Sequence, residues 1–454
     1  MSASSSSSSS SGEEVEGVDG GGGGGGVEGP SSSRSRIRWG NEVWPAPFVE
    51  ALAVRLTVDA SATVGRISAA QTLLNIFQVC TTWRAISRSE LLWQNLARRI
   101  WNVRHLTRDT WRHEYIYHHR TSCNFRLRRC IYTTLHFIPT VNNNNNDDGL
   151  SCRRLALSDH HIAAGFSDGA VHLFHLPEGF HVSTFYPQHR DRLGRFSSAV
   201  SGIILSDVRI VFATLDGDIH TTDIEDEDIA PLRRAHLGDV VNHGALVDFT
   251  GCNRWWVGLY AGVPGHALRI WNSETEELVF VGGTLTDPQS VMGWHLLTEL
   301  TELIGRVRVT GNNMAVACTR LRVIVFDLQN QGIILREEEP QRRIVVGLFD
   351  ANNESALITD DRGVASVRLV EGLEEKCWFR LRGRNLRRTL GCVNSGYGVV
   401  CSAGEIRVYE IEQGQYLYNF RERIGDCNAL IADEKYVAAC SSDGTIHLWY
   451  FGGE

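Results

Sequence analysis

Arginine is the residue type through which this chain has most chemistry to offer. Only Lys376 and Lys435 are lysines, so 43 of the 45 basic residues carry a guanidinium. A guanidinium is planar, permanently charged and forked, which matches it to carboxylates and phosphates. Arginines recur beside aromatic residues in the stretches between apolar runs: Arg190, Arg192, Arg195, Arg254, Trp255, Trp294, His295, Arg320, Arg322, Arg362, Arg384, Arg387 and Arg388. Such a mixture is what a recognition surface for an acidic or phosphorylated partner carries. In a chain with almost no lysine, ordinary solvated arginines account for it equally well.

Bond-making chemistry is not indicated. The chain holds no G-x-S-x-G, no H-E-x-x-H and no P-loop, and the glycine run Gly20 to Gly26 leads into no strand or helix that could cradle phosphate. His172, His220 and His447 fall inside strand-like runs, where packed imidazoles are the expected reading over ligands. No catalytic residue, metal or cofactor is expected, and the chain reads as a non-enzyme. Eleven cysteines are spread singly from Cys80 to Cys440 with no C-x-x-C pair, the usage of reduced thiols in an intracellular protein. No apolar run approaches the roughly 18 residues of a membrane span, and the Ser/Gly-rich start has no secretory h-region. The net charge of −8 argues against polyanion binding by the chain as a whole.

The elements that would position the arginines are read from a repeat. At the end of the chain Tyr436 to Phe451 reads YVAACSSDGTIHLWYF, two apolar runs joined by Ser-Asp-Gly, a tight hairpin. Six similar hairpins precede it at 162–176, 210–224, 255–272, 314–328, 356–370 and 397–411, at intervals of 40 to 55 residues. Each has a short strand before it and most have one after. Four strands repeated seven times predict a seven-bladed β-propeller over 130–454. An isolated run, CIYTTLHFI at 130–138, is predicted to complete the last blade and remove its free edge. In a propeller the hairpin turns and the links between blades share one end, which places the arginines and tryptophans above on a common face.

Upstream, 1–40 is a Ser/Gly-rich acidic tail predicted to be disordered. Residues 41–97 form a small helical unit: Phe48, Leu52 and Leu56 lie at i, i+4 and i+8, a looser stretch covers Thr57 to Ser68, and Leu73, Ile76, Phe77 and Cys80 share one helical face that Trp83, Ile86, Leu92, Trp93 and Leu96 continue. Residues 98–129 carry nine arginines around Trp101, Leu106, Trp111, Tyr115, Ile116 and Phe125. A helical spacer is the favoured reading of that segment, with a DNA-contacting arm as the competing one.

The Pro45, Glu50 and Leu52 start, then V-C-x-x-W-R (Val79, Cys80, Trp83, Arg84) and L-L-W-x-x-L (Leu91, Leu92, Trp93, Leu96), resemble the F-box, the module that docks onto the Skp1 adaptor of cullin-RING ubiquitin ligases. That resemblance implies Skp1 contacts from Pro45, Phe48, Leu52, Leu73, Val79, Cys80, Trp83, Leu92 and Trp93. W-x3-Y-x4-R-x3-N (Trp111, Tyr115, Arg120, Asn124) is similar to the linker between F-boxes and WD propellers. The hairpins themselves resemble degenerate WD40 repeats, with Asp168, Asp216 and Asp443 at the turn position and Trp271 and Trp449 as strand-end aromatics, although no copy has an intact Trp-Asp. The fold class expected is thus mainly β, a WD40-like propeller behind a small all-α F-box and helical linker. By resemblance the function is that of a substrate receptor of a Skp1-cullin-F-box ubiquitin ligase, the propeller holding a target protein, with Arg190, Arg192, Arg195, Trp255, Trp294, Arg320, Arg322, Arg362, Arg384, Arg387 and Arg388 on the target-binding face. The stretches GDVVNHGALVDFTGC, RWWVGLYAGVPG and FVGGTLTDPQSVMGWH are in addition similar to a family of nuclear regulators of plant flower and organ development. That likeness implies the alternative, a transcriptional regulator or corepressor scaffold that binds protein or DNA without ubiquitin.

Overall fold

The computed structural model describes residues 44–136, 150–187, 195–224, 230–283, 304–311, 313–382, 386 and 389–453. The Ser/Gly-rich tail, the asparagine run at 142–146, and Arg190, Arg192, Trp294, Arg384, Arg387 and Arg388 lie outside the described residues. Residues 46–454 form one unit.

Among the described residues five α-helices come first: α1 (Ala46–Thr63), α2 (Arg66–Phe77), α3 (Thr81–Ala85), α4 (Glu90–Trp101) and α5 (Trp111–Leu127). The stretch read as loose, from Thr57, is helical up to Thr63 and resumes at Arg66. Its β-branched residues are weak helix formers in isolation, but Thr57 is fully buried and tertiary packing decides. The break falls at Gly65, whose φ of 115° is closed to most side chains. The face of α1 also differs from expectation. Val49, Ala53, Val54 and Thr57 are buried, whereas Phe48 and Leu56 are 47% and 42% exposed. Cys80 does not continue the α2 face either, because it is the exposed N-cap of α3. Ser89 caps α4 by accepting from the Leu92 amide.

Seven four-stranded antiparallel sheets follow, covering 152–185, 200–236, 245–282, 305–338, 350–380 and 390–419, with the seventh made of 427–450 and one earlier strand. These are blades 1 to 7 of a β-propeller. The earlier strand is Ile131–Leu135, which lies antiparallel to Ile446–Tyr450 with Ile131 opposite Tyr450 and closes the ring. Middle strands such as Met314–Thr319 and Tyr436–Ser441 are buried at every position. Each blade is sandwiched between two others, so both faces of its centre are covered and a continuous apolar run is the pattern that fits. At the hairpin turns Gly444 takes a φ of 85°, while Asp443 Oδ1 accepts from the Thr445 amide at 2.9 Å. Blade 7 also holds a short side-chain network not traceable in the sequence: Ser441 Oγ lies 3.3 Å from His447 Nε2, and Tyr132 Oη lies 2.8 Å from His447 Nδ1.

Candidate functional site

One end of the propeller is occupied by the helices. Arg66 of α2 pairs with Glu354 at 3.0 Å, Tyr397 Oη donates to Ser122 O at 3.1 Å, and Asn124 Nδ2 donates to Phe451 O at 3.0 Å. Phe125, on the last turns of α5, is stacked between Tyr397 (4.5 Å) and Phe451 (4.2 Å). Glu354, Tyr397 and Phe451 all sit at the end of their blades away from the hairpin turns. The other half of α5 enters the helical core, where Tyr115 packs 5.3 Å from Trp93. One helix is therefore cored into both parts. Phe125→Ala should cost about 3–5 kcal/mol and make the segment after α5 sensitive to limited proteolysis; an unchanged digestion pattern and midpoint would contradict the strut role.

The hairpin end carries Arg320 and Arg322 in the turn of blade 4 and Arg362 in that of blade 5. Arg362 is exposed. Arg322 is not free for a partner, since Glu337 and Glu339 take its two terminal nitrogens at 2.5 and 2.6 Å. Arg195 opens a short 3-10 turn between blades 1 and 2. Trp255 belongs elsewhere. It begins the second strand of blade 3, at the opposite end from the hairpin turn, and is only 6% exposed, with Nε1 on Asn313 Oδ1 at 3.2 Å and Arg254 over its ring. The strand direction fixes this, because the link before a second strand and the turn after it lie at opposite ends of a blade.

In the helical unit the nine expected adaptor contacts divide. Pro45, Phe48, Val79 and Cys80 are exposed, and Leu52 and Trp83 are half-buried. Leu73, Leu92 and Trp93 are buried in the unit's own core, where Trp93 Nε1 donates to Ser87 O at 2.7 Å. Fifty residues of helix need those side chains for their own core, which withdraws them from any partner.

The feature that residue types did not reveal is the channel. The innermost strands of the blades surround a cavity of about 850 Å³ that Arg153, Arg154, Asp248, Arg306, Arg308 and Asp350 help to line. Four of these form an alternating chain across the ring. Arg154 of blade 1 pairs with Asp248 of blade 3 at 3.1 Å, Asp248 with Arg308 of blade 4 at 3.1 Å, and Arg308 with Asp350 of blade 5 at 2.6 Å. Backbone amides complete the carboxylates: Val307 N donates to Asp248 and Val393 N to Asp350, each at 2.9 Å. Burial works against the charge on Arg308, but Asp350 and Asp248 outweigh it and hold its pKa above the ordinary value.

Arg153 and Arg306 are different. Among the described residues Arg306, 7% exposed, reaches only carbonyls, chiefly Phe349 O at 2.8 Å, and its Nε has no partner. Arg153 has a buried Nη1 with no partner among the described residues. Burial, then the neighbouring Arg154, pushes Arg153 down to about 9, and burial, then Arg308, pushes Arg306 down to about 10, so both remain charged at neutral pH. The available signal was charge inside otherwise apolar inner strands: CRRLAL, ALVDFTG and GRVRV. Among the described residues no group of three His, Cys, Asp or Glu comes together as metal ligands.

No family model matches the chain. A crystal structure of the computationally designed Ika8 protein is similar over 67% of this chain and 98% of its own, at 15% identity and a TM-score of 0.45, a likeness too low to carry an argument. The informative relative is the Transcriptional regulator STERILE APETALA of Arabidopsis thaliana, 54% identical over 430 residues, which span 94% of this chain and 95% of that protein. The relative's name corrects the expectation of a ubiquitin-ligase receptor, since it describes a regulator of transcription, the alternative reading. Identity at that level over essentially the whole of both chains leaves no room for a shared module alone, and the chain belongs to the STERILE APETALA family.

Proposed function

We propose that this protein is a plant nuclear regulator of transcription that acts as a non-catalytic, protein-binding scaffold. The observation that carries the reading is the end-to-end identity with a relative named as a transcriptional regulator. Protein contact is favoured over direct DNA contact by the fate of the basic segment. Arg98 lies over Trp111 at 5.4 Å, Arg108 over Tyr117 at 3.7 Å and Arg112 over Trp93 at 6.0 Å. Arg126 pairs with Glu410 at 3.4 Å, and Arg128 donates to Asn419 O at 2.9 Å. Over half of that segment's arginines are thus engaged within the molecule, which is poor provision for phosphate contacts. The hairpin end, with exposed Arg362, and the helical unit, with exposed Phe48, Leu74 and Val79, offer two separate protein-facing surfaces.

The test is to fuse the full chain to a heterologous DNA-binding domain in plant cells and read a reporter carrying that domain's site. Transcription should change several-fold, and the chain without the fusion partner should give no salt-dependent retardation of DNA. A fusion that accumulates in the nucleus and leaves the reporter untouched would overturn the scaffold reading. Retardation that weakens with salt would replace it with direct DNA binding.

A further inference from the structure

The channel network is short of negative charge. Among the described residues Arg154 and Arg308 share Asp248 and Asp350, whereas Arg153 and Arg306 make no ion pair. Asp426, the third aspartate among the described lining residues, is exposed. Two guanidiniums are thus held charged in a confined space, each with a buried nitrogen that no group among the described residues satisfies. A buried donor without a partner costs about 1–3 kcal/mol, and more when charged. Such an arrangement persists where an absent group supplies the acceptors. Water could satisfy the donors but would leave both guanidiniums without an ion pair.

We propose that the propeller channel binds a small, multivalent phosphate-bearing molecule, with Arg153 and Arg306 as its principal contacts and the Arg154, Asp248, Arg308 and Asp350 chain as the rigid frame behind them. Three observations set the ligand class. The unsatisfied groups are arginines, whose forks match the oxygens of phosphate. Two of them make no ion pair among the described residues, so a group with at least two negative charges suits them better than a single carboxylate. The cavity of about 850 Å³ is of the size that takes a small molecule. This inference goes beyond the transcriptional reading and does not depend on it.

The experiment is calorimetric titration of the full-length protein with tripolyphosphate at neutral pH and fixed ionic strength, with thermal unfolding followed alongside. Saturable binding of one equivalent and a raised Tm are expected. Arg153→Gln should weaken binding at least about tenfold without lowering the ligand-free Tm, because it removes a charge whose buried Nη1 has no partner among the described residues. Arg343→Gln, at an exposed position between blades 4 and 5, should bind as the parent does. Absence of saturable binding at millimolar tripolyphosphate would overturn the proposal, as would equal affinity in Arg153→Gln. Citrate binding as tightly as tripolyphosphate would overturn the phosphate class.

Discussion

Asp248→Ala should lower the unfolding free energy by about 3–5 kcal/mol. Asp248 is 1% exposed and is the only carboxylate shared by two arginines of the channel chain, Arg154 and Arg308. Removing it takes away the carboxylate that Arg154 pairs with and strips Val307 N of its acceptor. The loss comes less from the attraction forgone than from the buried charge left uncompensated. Asp248→Asn separates the two contributions, since an amide oxygen can still accept from Val307 N but carries no charge. Guanidinium midpoints for the parent and both variants decide it. A loss under about 1 kcal/mol for the alanine variant would mean that the chain behaves as a solvated surface pair and does not tie the blades together.

Acid should unfold the protein through its buried histidines. His172 and His220 are 5% and 2% exposed, and both have a pKa lowered to about 4, first by burial and then by His181 for the one and, against Asp218, by Arg234 for the other. An unfolded histidine titrates near 6.5. The unfolded chain therefore takes up protons before the native one as pH falls. Stability from these two groups is complete above about pH 6.5, is lost across the window down to about pH 4, and is level below it. At pH 5 the loss is about 2 kcal/mol per histidine, or about 4 kcal/mol together. His118, His119, His236 and His447 shift in the same direction. Asp433, raised to about 7 by burial against two backbone amides, works the other way and gains stability on acidification. The decisive quantity is therefore the difference between the parent and a His172→Asn, His220→Asn variant, each measured at pH 7.5 and pH 5. The variant should lose about 4 kcal/mol less than the parent; equal losses would show that the two imidazoles are not held neutral.

The propeller was legible because its signal is repeated. All seven hairpins, from 162–176 to the last, fall on paired second and third strands, and even blade 4, which has no turn glycine, forms through Thr319, whose hydroxyl accepts from the Leu321 amide at 3.3 Å. The helical unit was legible in its existence and less so in its faces. Phe48, Leu52 and Leu56 have helical spacing, but the narrower side of Val49, Ala53 and Thr57 allows α1 to approach α2 and α4 closely, and the bulky stripe is left toward solvent. The site was the least legible part. Arg154, Asp248, Arg308 and Asp350 are separated by some forty to a hundred residues, and nothing local in any of the four strands says that their ends converge on one axis. Trp255 was assigned to the wrong end for a related reason: composition indicates that a residue adjoins a turn, while strand direction decides which turn it is. The ubiquitin-ligase expectation rested on V-C-x-x-W-R and L-L-W-x-x-L, and it is the relative's name as a transcriptional regulator that sets it aside; of those motifs Leu92, Trp93 and Leu96 belong to the unit's own core.

Closure of the ring by the strand Ile131–Leu135 also sets a timetable. Tyr132 and His447, which meet across the seam, are 315 positions apart in the chain. At a synthesis rate of about 5–20 residues per second, the first strand waits roughly 15–60 s for its partner to leave the ribosome. Throughout that interval a bare strand edge and the unfilled stack around Phe125 are open to other chains in a crowded cytosol. Holding factors that mask such edges during translation would then limit the yield of active protein. A premature stop codon at Ile446 would be as damaging as a far earlier one, because the seam, the seventh blade and the seating of α5 would be lost together.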